Sequence, residues 1–390
     1  KGKNINFESN DPASRQKTSP QKGVSRRFRA SRTIERPEYE KQSVKMKRIG
    51  NLYEKIISLD NLRLADEKAR HGKLRTYGVK VHDKNREANI LALHETLKNR
   101  TFKNSEYSTF TIYEPKERII FRLPYYPDRI LHHAIMNILE PIWVSVFTKD
   151  TYSCIKGRGI HGAMRNVKRA IKDRENARYC LKIDIRKFYP SIDHDVLKTV
   201  IRRKIKCKDT LALLDTIIDS TDGVPIGNYL SQYFANLMLA YFDHWIKEEK
   251  RVRYYFRYAD DMVFLASTKE ELHILLADIK KYLAALKLTL KGNEQIFPIA
   301  ENRADKHGRG LDFVGFVFYH AQTLMRKAIK QNFCRAAARL NKKVNISAKD
   351  YKQRLCSWFG WAKVSNSKHL LKTIIKPQFY ETCILRRNAA

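Results

Sequence analysis

Three aspartates lie at the ends of segments whose residue pattern predicts β-strands. In the run 179–185, alternate Leu and Ile residues would share the buried face of a strand, which leaves Asp184 on the polar face near the strand end. In the second segment, 255–264, aromatic and β-branched residues flank Asp260 and Asp261, a pattern typical of a hairpin with a tight turn. Adjacent carboxylates at a hairpin tip repel each other, and a divalent cation that prefers oxygen ligands offsets the repulsion.

Three such carboxylates can hold two divalent cations roughly 3.5–4 Å apart, which activates a 3′-hydroxyl and stabilises a leaving pyrophosphate. We therefore identify Asp184, Asp260 and Asp261 as candidate catalytic residues and as ligands of two Mg²⁺ ions, for which Mn²⁺ can substitute. A pair of aspartates in a turn is more commonly a solvated loop. The flanking hydrophobic strands, the third aspartate and the positive charge of the chain favour the metal site over that alternative.

The composition predicts an anionic partner. Among 390 residues, 77 Lys and Arg face 41 acidic residues, which gives a net charge of +36. Such an excess causes self-repulsion and is best explained by nucleic-acid phosphates or by an acidic membrane surface. No apolar run approaches the ~20 residues of a spanning helix, so the membrane is the weaker alternative. The six cysteines lack zinc-site spacing and are typical of reduced thiols in a reducing cytosol.

The residue pattern divides the chain into four segments. Residues 1–45 are basic and poor in Leu and Val, which predicts a flexible extension or a nucleic-acid-binding arm. Because the chain does not begin with Met and Met46 opens a patterned helix, this extension is expected to be dispensable or an artefact of the gene start. Residues 46–178 are mostly helical with one hairpin, 179–322 mix short strands with helices, and 323–390 are helical and basic. The mixture predicts an α+β fold around a largely antiparallel sheet.

At these residues the sequence resembles the reverse transcriptases. The segment 258–261 (Tyr-Ala-Asp-Asp) is similar to their YxDD box. The segments 184–193, 226–232 and 311–316 resemble their first aspartate motif, the box between the two aspartate motifs, and the primer-grip hairpin, in the family's order. The resemblance implies a right-hand polymerase, with fingers, palm and thumb over the three folded segments.

The box at 226–232 also indicates a subfamily. Intron-type enzymes usually have QGxxxSP in this box, whereas this chain has Ile226 and Gly227, followed by Ser231 and Gln232. This version of the box is similar to that of the reverse transcriptases of diversity-generating retroelements. The segments 52–56, 113–116 and 357–361 are similar to them too, whereas Leu230 and the basic extension depart from the pattern. The resemblance implies a bacterial or phage-encoded cytoplasmic enzyme. It would copy a template RNA into cDNA with errors at adenines, assisted by a small basic accessory protein, so that the cDNA diversifies a target gene.

The resemblance also implies roles for further residues. Contacts to the incoming dNTP would come from Lys116, Arg118, Tyr189, Ile226, Gly227, Gln232 and Lys291. Contacts to primer and template would come from Tyr258, Phe313, Gly315, Arg335 and Arg339, and the backbone carbonyl of Ile185 would be a further metal ligand. Tyr189 would exclude ribonucleotides by its bulk, although an aromatic beside a strand end is more commonly a core residue.

Ile226 lacks the amide of the more usual Gln, so Ile226 and Arg118 together would loosen discrimination at template adenine. The alternative is that Ile226 only packs a loop after Pro225. Other functions remain open: an antiphage-defence or retron-type reverse transcriptase, an intron maturase, or a non-catalytic RNA-binding polymerase scaffold. The scaffold is disfavoured because it has no use for three converging carboxylates.

Overall fold

The computed structural model describes residues 47–113 and 117–384 of the chain. Ahead of the central sheet lie helices, one β-hairpin and a kinked turn: α1 (Tyr53–Ile57), α2 (Leu59–Arg70), α3 (Tyr77–Asp83), α4 (Arg86–Lys98), β1 (Ser108–Ile112), β2 (Arg118–Arg122), the kinked turn Tyr125–Arg129, α5 (Ile130–Val144) and α6 (Gly159–Ala170).

The central part contains the strands of the main sheet and the helices that cover it: β3 (Tyr179–Asp184), a 3₁₀ turn (Tyr189–Ser191), α7 (His194–Arg202), α8 (Lys208–Ile218), α9 (Ser231–Met238), α10 (Ala240–His244), a π-helical turn (Trp245–Glu249), β4 (Tyr254–Tyr258), β5 (Asp261–Ala266), α11 (Lys269–Ala285) and β6 (Gln295–Pro298). A small sheet and helices follow: β7 (Leu311–Phe313), β8 (Phe316–Phe318), β9 (Thr323–Met325), α12 (Lys327–Asn341), α13 (Ala348–Val364), α14 (Lys368–Ile374) and α15 (Pro377–Ile384).

The main sheet is antiparallel and has the strand order β4-β5-β3-β6. Its two faces are both covered, because alternate residues of each strand enter different cores. On β5, Met262 and Phe264 join the larger core, while Val263 and Leu265 join a second core on the other face. This explains why β5 is apolar after Asp261 and does not alternate with polar residues.

Side-chain caps define the starts of several helices. Asp193 accepts a hydrogen bond from the backbone N–H of Val196 (3.0 Å) at the start of α7, and Thr268 caps α11 in the same way. Such caps satisfy backbone donors that the first turn of a helix leaves without partners. The acidic residue that closes the first aspartate motif is therefore a structural residue in this fold.

The small sheet joins the central part of the chain to the last helices. Strand β8 pairs with β7 on one side and with β9 on the other. Trp361 on α13 packs against the second core and against the helical core of α12 to α15. Its ring lies 4.9 Å from that of Phe316, so an aromatic contact crosses the junction.

The predicted fingers hairpin forms, with β1 paired to β2, and the mixed α+β character is present. The boundaries at 178/179 and 322/323 stay predictions; β9 lies just beyond the second one and pairs with β8. The extension 1–45 and the candidate nucleotide contact Lys116 lie outside the described residues. Among the described helices, none combines the length and the apolar character needed to cross a bilayer.

Candidate active site

The turn between β4 and β5 presents the aspartate pair. Tyr258 is the register partner of Asp261, so the two-residue turn consists of Ala259 and Asp260. Asp261 therefore begins β5, whereas the sequence pattern had predicted that it lies in the turn. Ala259 has a φ of +56°, a left-handed conformation that alanine rarely adopts. Conformations of this kind cluster at functional sites, where the surrounding structure has to hold them.

The third aspartate lies on the neighbouring strand. Asp184 is the last residue of β3 and is the register partner of Asp261. As the alternation predicted, Leu181 and Ile183 are buried beneath it, whereas Asp184 is partly exposed. The pairing of β3 with β5, next to the turn between β4 and β5, therefore places Asp184, Asp260 and Asp261 at one end of the sheet.

The carboxylates perturb one another. Burial, followed by the adjacent charge of Asp184, raises the pKa of Asp260 to about 6. Burial likewise raises the pKa of Asp261 to about 6, and Asp184 adds to this while Lys182 opposes it. Raised pKa values of this kind indicate that negative charges lie close together in a poorly solvated site. They also indicate that the neighbouring cations neutralise these charges incompletely.

Two lysines lie against the carboxylates. Lys182 Nζ is 3.5 Å from Asp261 Oδ2, and Lys291 Nζ is 3.2 Å from Asp184 Oδ2. The backbone N–H of Lys291 also donates to the carbonyl of Asp184 (2.9 Å), which anchors the segment after α11 beside β3. Lys182 was not predicted as a site residue from the sequence. The available signal was its position two residues before Asp184, on the same face of the strand.

The donor set fits a divalent cation. Asp261 Oδ1 is buried without a hydrogen-bond partner among the described residues, as expected for an oxygen available to a metal. The described part of the chain contains no group of three His, Cys, Asp or Glu residues that could hold a metal ion in their present positions. The three aspartates would therefore hold a metal only after their side chains move. Ile185, the additional predicted ligand through its carbonyl, follows Asp184 and forms a bridge with Leu290.

An open cavity of about 620 Å³ contains the three aspartates. Cationic side chains surround them: Arg118, Lys182, Lys291, Arg309 and Arg326. Such a rim suits a polyphosphate, because fixed positive charges stabilise the negative charge that develops as a phosphoanhydride bond breaks. The structure thus brings the predicted nucleotide contacts Arg118 and Lys291 to the aspartates.

Three further predicted nucleotide contacts lie close by. Burial raises the pKa of Tyr189 to about 12, with smaller effects from the charges of Asp260 and Arg118. The backbone carbonyl of Ile226 accepts a hydrogen bond from the N–H of Phe121 on β2 (2.8 Å). Gly227 has a φ of +128°, and an added Cβ would lie 2.3 Å from the carbonyl oxygen of Phe121. Glycine is therefore required where this loop crosses the β1–β2 hairpin.

Other predicted contacts lie elsewhere. Gln232 lines a separate cavity of about 400 Å³, which Tyr229 and His133 also line. Phe313 is fully buried in the second core, so its side chain is unavailable to a primer. The remaining ones are Tyr258, half-buried opposite Asp261, Gly315 in the turn between β7 and β8, and Arg335 and Arg339 on the exposed side of α12.

Comparisons with known proteins find similarity over the part of the chain that carries this site. Residues 113–293, just under half of the chain, match the model of the family described as reverse transcriptase (RNA-dependent DNA polymerase). The chain is 25% identical over 236 residues to Protein YkfC of Escherichia coli (strain K12), and the match covers 48% of this chain and 62% of the relative. It is 27% identical over 139 residues to the group II intron-encoded protein LtrA of Lactococcus lactis subsp. cremoris, covering 33% and 23%.

Solved structures resemble the chain more distantly. The apo telomerase of Candida tropicalis truncated from its C-terminal domain has a TM-score of 0.44 and 13% identity, and the match covers 61% of this chain and 59% of that chain. The telomerase of Candida albicans in complex with a TWJ fragment of telomeric RNA has a TM-score of 0.44 and 10% identity, covering 75% and 62%. The chain covers less than two thirds of the length of each of these relatives.

The family match and the antiparallel sheet with its covering helices confirm the α+β, right-hand polymerase fold that the motifs predicted. The match spans both aspartate motifs and the box between them. Residues 113–293 are therefore the part of the chain that is similar to reverse transcriptases.

Proposed function

We propose that this protein is an RNA-directed DNA polymerase that makes cDNA from a template RNA. The observation that carries the proposal is the register of β3 and β5, which sets Asp184 opposite Asp261 beside the Asp260 turn. Three carboxylates at one end of a covered sheet destabilise the fold unless a cation offsets their repulsion, and the raised pKa values of Asp260 and Asp261 are typical of a functional site.

In this proposal Asp184, Asp260 and Asp261 hold two Mg²⁺ ions, with the Ile185 carbonyl as a further ligand and Mn²⁺ as a substitute. When bound, the ions would lower the pKa of the primer 3′-hydroxyl and stabilise the leaving pyrophosphate. Arg118 and Lys291 would orient the triphosphate from the cavity rim. Tyr189 would sit against the sugar and exclude a 2′-hydroxyl, which fits the effect of the Asp260 and Arg118 charges on its pKa.

Within this activity, we propose the more specific role of diversifying a target gene through errors at template adenines. The Ile226–Gly227 loop is hydrogen-bonded to β2, the strand that begins with Arg118. A change in the loop therefore reaches the nucleotide contact through one short strand, which supports the idea that Ile226 and Arg118 act together. A small basic accessory protein belongs to the same proposal, as does a bacterial or phage-encoded cytoplasmic enzyme.

Primer extension on a defined RNA template tests both levels. The purified chain is given an annealed DNA primer, dNTPs and Mg²⁺, and the products are sequenced. We expect extension with errors concentrated opposite adenine. The Asp260→Asn and Asp261→Asn variants should lose at least about 10²-fold in rate, because each removes a charged ligand of the metal pair.

Matched readouts separate the alternatives. Each Asn variant keeps the shape of the side chain, so an unchanged thermal unfolding curve would show that its loss of extension is chemical. Faithful extension would keep the polymerase and favour a defence or retron-type enzyme over a diversifying one. No extension by the wild type, with cognate RNA and accessory protein added, would favour the non-catalytic scaffold.

A further inference from the structure

Beneath the aspartate hairpin lies a fully buried ion pair. Arg257 on β4 and Asp243 on α10 both have side chains that are 0% exposed. The guanidinium Nε donates to Asp243 Oδ1 (2.7 Å) and Nη2 donates to Asp243 Oδ2 (2.6 Å), a bidentate arrangement. Because a buried charge is costly without such a partner, the pair must be formed together.

The remaining guanidinium donors reach two other places. Nη1 donates to Asn236 Oδ1 on α9 (3.2 Å) and to the backbone carbonyl of Ala259 (3.1 Å), and Nη2 also approaches the Asn236 carbonyl (3.5 Å). All N–H groups of the guanidinium therefore have an acceptor. Only arginine offers five donors in one plane, and lysine cannot replace this pattern.

The contact with Ala259 acts on the turn itself. The Ala259 carbonyl belongs to the planar peptide that leads into Asp260, so fixing this oxygen fixes the orientation of that peptide. Ala259 has the left-handed φ of +56°, which alanine does not adopt without support from its surroundings. The guanidinium supplies such support from inside the core, directly behind the carboxylate.

The acceptors of Arg257 are themselves held. Asp243 accepts from Tyr255 Oη (2.6 Å) and from Thr151 Oγ1 (2.7 Å), and Asn236 donates to the carbonyl of Ser153 (2.8 Å). Asn236 lies one helical turn after Gln232 on α9. The network therefore joins the helix that follows the Ile226–Gly227 loop to the hairpin that carries Asp260.

We propose that Arg257 is a positioning residue that acts on the metal through Asp260: held by Asp243 and Asn236, it fixes the strained Ala259–Asp260 turn and so sets the direction of that carboxylate. This role deepens the proposed polymerase function and rests on it for its consequence in catalysis. Its consequence for cation binding can be measured without any turnover.

The experiment compares Arg257→Lys with Tyr255→Phe. The lysine variant keeps the buried charge near Asp243 but cannot reach Asp243, Asn236 and the turn together. The phenylalanine variant removes a bond to the same carboxylate from the same strand and leaves the guanidinium contact with the turn in place. Mn²⁺ affinity is measured from the electron paramagnetic resonance of the free ion. In parallel, thermal unfolding in EDTA shows the temperature below which each variant is folded.

We expect Mn²⁺ to bind Arg257→Lys about 10-fold more weakly, as is common when a group that orients a metal ligand is altered. Tyr255→Phe should lose stability but bind Mn²⁺ as the wild type does. Equal affinity in Arg257→Lys and wild type, or an equal loss in Tyr255→Phe, would overturn the role. If Arg257→Lys shows no cooperative unfolding, Asn236→Ala replaces it. That variant removes one acceptor and should weaken Mn²⁺ binding about fivefold, and an unchanged affinity would again overturn the role.

Primer extension then separates this inference from the proposed function. A wild type that binds Mn²⁺ but extends no primer would refute the polymerase and leave the positioning role to be decided by the affinities. The positioning role alone would be refuted if the wild type extends the primer and Arg257→Lys matches it in two respects. These are the affinity for Mn²⁺ and the dependence of the extension rate on Mg²⁺ concentration.

Discussion

At the scale of single residues, the proposed function makes Ile226 the position from which copying fidelity would be altered without touching the aspartates. Its carbonyl is bonded to Phe121, while its aliphatic side chain is only partly buried. Ile226→Gln would introduce an amide at the position that the proposal sets beside the templating base. Errors opposite adenine should then fall about fivefold, because one neutral hydrogen bond contributes roughly 1 kcal/mol to discrimination. The measurement is the adenine-templated error rate by sequencing cDNA from an adenine-rich template.

The control for this prediction is Ile226→Val, which keeps an aliphatic side chain and the backbone contact. It should leave the error spectrum as it is in the wild type. An unchanged spectrum in Ile226→Gln would instead show that Ile226 only packs the loop after Pro225, the alternative that the sequence left open.

The candidate site was predictable from sequence where it depends on local alternation. Asp184 and the Asp260–Asp261 pair are found from the strand pattern that surrounds them, and the register then brings them together. The partners of Arg257 were not predictable, because Asp243 and Asn236 lie on helices whose packing no local pattern encodes. The one available signal was a charged residue inside an otherwise apolar strand.

At the scale of elements, a buried carboxylate ties the first helices together. Asp66 on α2 is fully buried and accepts hydrogen bonds from Arg70 (2.8 Å), Arg86 on α4 (2.6 Å) and Tyr125 (2.5 Å), with His82 of α3 at 3.4 Å. Burial alone would raise its pKa, but these four partners hold the pKa of Asp66 far below its usual range. The carboxylate of Asp66 therefore connects α2 with α3, with α4 and with the turn that contains Tyr125.

Asp66→Asn should lower the free energy of unfolding at pH 7 by about 3 kcal/mol, because it removes a buried charge that is paired with the partly exposed Arg70 and Arg86. The pKa of Asp66 is depressed in the folded state, so its stabilisation is present above the unfolded value near 4 and is lost as the pH falls below it. Urea unfolding at a series of pH values should thus show wild type and variant converging below about pH 4. A difference that stays constant down to pH 3 would contradict this account.

Elements differ in how far the sequence could predict them. The fingers hairpin and the β4–β5 hairpin follow from neighbouring residues, and both form. The strand order β4-β5-β3-β6 and the pairing of β9 with β8 depend on contacts between distant segments. For that reason the segment after 322 was predicted as helical from its start, although it begins with a strand.

At the scale of the whole molecule, the last helices are joined to the site through the small sheet. Lys182, which contacts Asp261, also donates to the carbonyl of Asp312 (2.5 Å), and the side chain of Asp312 pairs with Arg326 just before α12. At Gly315 an added Cβ would lie 2.4 Å from the ring of Trp361. A polar chain and a close aromatic contact thus connect the aspartates with the basic helices.

Two of the basic residues that contribute to the net charge of +36 lie on the exposed side of α12. Arg335 and Arg339 are one turn apart on the exposed side of α12, whose opposite side buries Phe333, Ala337 and Leu340. If this face tracks the phosphates of an RNA–DNA duplex, each arginine should release counterions on binding. The negative slope of log K against log salt would then become shallower by about 0.9 for each arginine removed. The double variant with Arg335→Ala and Arg339→Ala should therefore lose about 1.8 of the slope.

Fluorescence anisotropy of a labelled RNA–DNA duplex between about 50 and 200 mM salt measures this slope. The loss of affinity should be the same for duplexes of different sequence, because phosphate contacts carry no base information. Arg63→Ala is the matched control: Arg63 is an exposed arginine on α2 whose charge is paired with Glu87, so its removal should leave the slope unchanged. A double variant with the slope of the wild type would show that α12 does not carry the duplex, and an equal change in Arg63→Ala would show that the response is one of net charge alone.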